Sequence, residues 1–75
     1  MKELLEKIAR SLVDNPDEVS VTKVDNGNSL ILELRVAEED MGKVIGKQGR
    51  IAKAIRVVMK AAAVHENKRV VVEIV

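Results

Sequence analysis

The chain predicts one α+β domain whose elements run α-β-β-α-α-β. Three observations carry that prediction. Two runs of period two, Val19 to Thr22 and Leu30 to Val36, flank an Asn26-Gly27 pair. Apolar residues at helical spacing precede and follow them, and an almost wholly apolar run, Val70 to Val75, closes the chain. Its 75 residues, 47% apolar and 33% charged, suit a folded chain with a single core. There is no Cys to supply a disulfide or a thiolate metal site, so stability must come from packing. No stretch approaches the roughly 20 apolar residues of a membrane span, and the start at Met1 lacks the basic and apolar segments of a leader. A cytoplasmic location is the expectation.

From Lys2 to Asp14, Leu4, Leu5, Ile8 and Leu12 recur at helical spacing among Glu3, Lys7, Arg10 and Ser11, which marks an amphipathic helix. Pro16 cannot extend it and disfavours helical geometry at Asn15, so the chain turns at Asn15-Pro16-Asp17. In the strand patterns, Val19 and Val21 alternate with Ser20 and Thr22. Leu30, Leu32, Leu34 and Val36 alternate with Ile31, Glu33 and Arg35. Asn-Gly favours a tight turn of positive φ, which predicts a hairpin. After Val36 a short helix ends at Ile45, with Glu38, Glu39 and Asp40 near its start, where acids complement the dipole. Gly42 inside it suggests close contact with a backbone or a ligand.

A further helix is predicted from about Arg50 to Ala63, its core face formed by Ile51, Ala54, Ile55, Val58 and Ala62. Val57, Ala61 and Val64 then fall outside the core stripe as surplus apolar surface. The closing strand is too continuously apolar to expect an exposed face or a free edge.

Between the last two helices lies Val44-Ile45-Gly46-Lys47-Gln48-Gly49-Arg50-Ile51. Glycine within a helix costs roughly 1 kcal/mol relative to Ala, so Gly46 and Gly49 read as a turn with Lys47 and Gln48 at its tip. Free N–H groups and a new helix N-terminus make such a tip a seat for a phosphate diester. Charge is segregated around it. From Met41 to His65 there are six cations (Lys43, Lys47, Arg50, Lys53, Arg56, Lys60) and no acid, whereas the remainder carries seven cations against twelve acids. A solvated helix face normally mixes signs, so a single-sign block centred on a glycine turn points to a phosphate footprint.

This segment resembles the GXXG signature of KH domains, whose loop clamps about four nucleotides of single-stranded RNA or DNA. Over nearly its whole length, including Asn15-Pro16-Asp17 and the tail after Arg50, the chain is similar to the small bacterial single-KH proteins of the KhpA family. The resemblance implies one type II KH domain over residues 1–75, three strands covered on one face by three helices. It also implies RNA rather than DNA as ligand, and a homodimer or a heterodimer with a KhpB-type KH protein. Post-transcriptional control or RNA chaperone activity, linked to cell division, envelope growth and cell shape, is the process it suggests.

Other chemistries find no support. A Walker A loop fails, since three residues rather than four separate Gly42 from Gly46 and Gln48 stands where the Mg²⁺-binding hydroxyl belongs. A dinucleotide fingerprint lacks its third glycine. His65 is the only histidine and has no soft co-ligand, and no serine has a histidine at interpretable spacing, so neither a metal, a cofactor, a small-molecule substrate nor catalysis is expected. Without Phe, Tyr or Trp, stacking platforms are excluded too. Gly46 and Gly49 are expected to admit the RNA backbone, with Lys47, Gln48, Arg50, Lys43 and Lys53 as its polar contacts. Arg50 and Lys53 are alternatively solvated surface residues, and Lys60, two turns farther on, is surface charge. Val44, Ile45, Ile51 and Ile31 are the aliphatic candidates for the bases, at least two of them expected in the core instead. Val57, Ala61 and Val64 form the candidate dimer interface.

Overall fold

A computed structural model of the protein describes all 75 residues. The first helix, α1, spans Lys2–Leu12 and stops at Val13, already extended at φ −101°. A single 3-10 turn over Pro16–Glu18 follows, with proline in its first position. Strand β1, Ser20–Asp25, pairs antiparallel with β2, Ser29–Arg35, placing Val21 opposite Leu34 and Val24 opposite Ile31. Gly27 closes the hairpin at φ 84°, its N–H donating to Asp25 Oδ1 at 2.9 Å. A second 3-10 turn, Glu38–Asp40, runs into α2, Met41–Ile45. After a third, Lys47–Gly49, comes α3, Arg50–Ala62, and then β3, Arg69–Ile74.

The core lies between one face of the sheet and the helices. Leu30, Leu32 and Leu34 alternate inward from β2 to meet Leu5 and Ala9 of α1, Val44 of α2, and Ile55 and Met59 of α3. Val70 and Val72 complete it from β3.

Two expectations about the C-terminal third are corrected. On α3 the buried row is Ala52, Ile55 and Met59, continued by Ala63, with Ile51 half-buried; Ala54 and Ala62 are exposed and Val58 is 46% exposed. Nearly every non-basic residue of this helix is apolar, so periodicity leaves the rotation of the stripe open, and the sheet chooses the face that buries Met59. Strand β3 was expected to have no free edge. It pairs in parallel with β2 alone, in the order β1-β2-β3, so its other side is an edge. Arg69 and Glu73 emerge from it into solvent.

Candidate nucleic-acid interface

The glycine turn is held in place by a contact distant in sequence. Asp40, the residue before α2, is fully buried. Its Oδ1 accepts the Asp14 N–H at 3.2 Å, and its Oδ2 accepts the Asn15 N–H and the Asn15 Nδ2 at 3.0 Å each. Burial alone would push the Asp40 carboxyl up in pKa. The Asn15 side chain, the two backbone donors and the Lys43 ammonium outweigh that, and the carboxyl titrates below the usual range. A five-residue helix has no independent stability, so this tie to the end of α1, together with the buried Val44 side chain, seats α2 and the turn behind it. Asn15 and Asp40 look in the sequence like a turn residue and a helix-start acid, and nothing local reveals that they pair.

Within the turn, Gly46 has φ 75° and ψ 174°, Gln48 is left-handed at φ 58°, and Gly49 is left-handed at φ 75°. Lys47 and Gln48 are exposed between them, as a loop tip requires. Gly42 meets no neighbouring backbone: a Cβ there would have nothing within 4 Å.

The six cations of the acid-free block separate. Lys43 Nζ lies 2.7 Å from Asp14 Oδ2 and 3.7 Å from Asp40 Oδ1, and the Asp14 hydrogen bond holds its pKa above the ordinary lysine value. Its charge is neutralised within the protein. Lys47, Arg50, Lys53, Arg56 and Lys60 take part in no ion pair. Counting roughly 100° per residue around α3, Arg50, Lys53, Val57, Lys60 and Val64 share one flank, running from the glycine turn along the helix. Ten residues of helix put Arg50 and Lys60 about 15 Å apart. The adjoining flank, Ala54, Val58 and Ala62, carries no charge, and Ala61 lies between the two.

Between the basic flank and β3 lies a groove of about 230 Å³ lined by Arg56, Val57, Lys60, Arg69 and Val70 to Val72. It is the aliphatic surface beside the cations, and Val57, a candidate for the dimer contact, is one of its lining residues. Among the aliphatic candidates, Val44 is fully enclosed in the core and presents nothing to a base, which corrects its assignment as a ligand contact. Ile45 is 37% exposed, whereas Ile51 is half-buried against Gly46 and Ile31 half-buried on the far face of the sheet.

A glycine-bounded turn between α2 and α3, over a sheet reached in the order α-β-β-α-α-β, defines a KH domain of type II. The chain belongs to the KhpA/KhpB family of KH domains, whose family model matches residues 2–74. It is 76% identical over 75 residues to the RNA-binding protein KhpA of Clostridium acetobutylicum, each chain covered completely. To the KhpA of Aquifex aeolicus it is 47% identical over 74 residues, covering 99% of this chain and 94% of that one. Among solved structures, Era in complex with MgGDPNP and nucleotides 1506–1542 of 16S ribosomal RNA superposes with a TM-score of 0.66 at 22% identity. That match covers 97% of this chain and 28% of Era, and it concerns the fold alone. No helix is long and apolar enough to cross a membrane.

Proposed function

We propose that the protein is a non-catalytic, cytoplasmic module that grips short single-stranded RNA. Gly46 and Gly49 let the sugar-phosphate backbone approach, Lys47, Gln48 and Arg50 contact phosphate, and Lys53 and Lys60 continue the track along α3. Bases rest against Val57 and β3, with Ile45 and Ile51 beside the turn. Lys43 joins the phosphate contacts only by leaving Asp14. The observation that carries this reading is the row of cations starting at the glycine turn: Lys47, Arg50, Lys53 and Lys60 lie in a stretch without a single acid and take part in no ion pair, so they stay open to an external anion. The naming of relatives as RNA-binding proteins supports RNA as the ligand. Post-transcriptional control or RNA chaperoning, tied to division, envelope growth and cell shape, follows from the family resemblance. Affinity for a pool of RNA oligonucleotides at several salt concentrations tests the reading, and absence of salt-sensitive binding would overturn it.

A second reading is favoured by the exposure of Val57, Val58 and Val64, at 67%, 46% and 72%. Two copies, or this chain and a KhpB-type KH protein, would pair through the outer side of α3, burying Val57, Ala61 and Val64 or the adjoining charge-free row through Val58. The first choice competes with the RNA groove for Val57; the second leaves it open.

A further inference from the structure

The face of the sheet turned away from the helices has no cover. Val21, Leu30, Leu32, Leu34, Val70 and Val72 are buried on the helix side, so alternation turns their neighbours outward. The strand register sorts those neighbours into rows across the sheet. Val24, Ile31 and Val71 form one row, exposed on β1 and half-buried on β2 and β3. One step along the strands lie Thr22, Glu33 and Glu73, and one step the other way lie Ser29 and Arg69. Glu33 and Glu73 therefore stand side by side on adjacent strands, where like charges repel. Neither acid nor Arg69 takes part in an ion pair. An aliphatic row between an uncompensated acidic pair and an uncompensated cation is complementary to its own copy turned end for end.

We propose that this face pairs with the same face of a second copy, about a two-fold axis running along the Val24, Ile31 and Val71 row. Such an axis reverses the strands and keeps their order, so each strand lies over its own copy and the aliphatic rows close on each other. The rows on either side exchange places. Glu73 then comes over Arg69 of the second copy, and Arg69 over Glu73 of the second copy. Charge excludes the other placements. An axis along the acidic row stacks Glu33 and Glu73 on their own copies, and an axis along β2 sets Glu33 on Glu33. An axis midway between the rows presses both acids against aliphatic side chains. Three strands about 4.8 Å apart and the seven residues of β2 at about 3.3 Å each give a face of roughly 15 by 20 Å, which belongs with small, weak interfaces. The contact is separate from any pairing through α3, because α3 packs on the other side of the sheet.

Sedimentation velocity of the full chain, from micromolar to near-millimolar concentration, tests the proposal. The parent should form a larger species as concentration rises. Glu73→Arg and Arg69→Glu change exposed side chains, so neither threatens the fold, and each turns both reciprocal attractions into repulsions. Either variant alone should weaken self-association by about tenfold. An equimolar mixture of the two should associate as well as the parent, since every charged contact across the axis then joins opposite signs. A parent that stays monomeric overturns the proposal. Single variants that sediment like the parent leave the association to α3 and reject it as well. A mixture that associates no better than its components rejects the two-fold placement, and the proposal with it.

Discussion

Gly46 sits against Ile51 so closely that a Cβ on Gly46 would lie 2.6 Å from Ile51 Cγ1 and 2.9 Å from Ile51 Cβ. Gly49 shares its positive φ of 75° but would meet nothing within 4 Å. The two glycines of one turn are thus required for different reasons. Gly46 admits the Ile51 side chain that braces the start of α3, whereas Gly49 supplies a left-handed backbone and faces open space. Gly46→Ala is expected to destabilise the fold by about 2–4 kcal/mol, from overpacking plus strain, and Gly49→Ala by about 1 kcal/mol from strain alone. Denaturant unfolding measures both, and equal costs would contradict the division. Gly49→Val adds a branched side chain at the open site and should weaken RNA binding as well as lower stability.

Lys47→Asp places an anion at the loop tip. RNA affinity should fall at least tenfold while the circular dichroism spectrum and melting temperature stay near the parent's, because an exposed side chain without partners carries little stability. The parent's salt dependence should correspond to about two to four phosphates, each contributing roughly 0.7 to the log-log slope. Undiminished affinity in the variant would remove Lys47 from the site.

Asp40 links pH to folding. Its carboxyl is depressed below the ordinary value in the folded chain, so the unfolded chain binds the proton more readily. The stabilisation is therefore complete above the unfolded-state value of about 3.9 and is lost as pH falls through the lower folded-state value. Asp40→Asn replaces one acceptor by a donor facing the Asn15 amide and two backbone N–H groups. Its melting temperature should drop by roughly 5–15 °C at pH 7. The gap between parent and variant should narrow below about pH 4. A constant gap down to pH 2 would mean that the charge on Asp40 contributes nothing.

Val57→Glu and Val58→Glu separate the two apolar rows of α3. The first should weaken RNA binding by putting an acid in the groove; the second should leave RNA binding near the parent's. Sedimentation at matched concentration then reports self-association. Loss of a dimer in Val58→Glu alone assigns the contact to the charge-free flank, loss in Val57→Glu alone assigns it to Val57, Ala61 and Val64, and a monomeric parent rejects both.

The sequence alone determined the order of elements, the hairpin at Asn26-Gly27, the turn at Gly46 to Gly49 and the basic block around it. Each of these is local: period two against 3.6, the conformational freedom of glycine and the spacing of charges are all legible within a few residues. Tertiary structure decided the rest. Helix α3 is apolar around most of its circumference, so only packing against the sheet could choose Ala52, Ile55 and Met59 for the core and leave Val58 outside. The apolar run of β3 reads as an interior strand, yet it lies at an edge because β2 supplies its only strand partner. Lys43 belongs to the basic block by position and leaves it by contact, since its partner Asp14 is 29 residues away. The Asn15 and Asp40 pair, 25 residues apart, is invisible for the same reason: a hydrogen bond between two surface-type residues exists only once α1 and α2 have been brought together around a shared core.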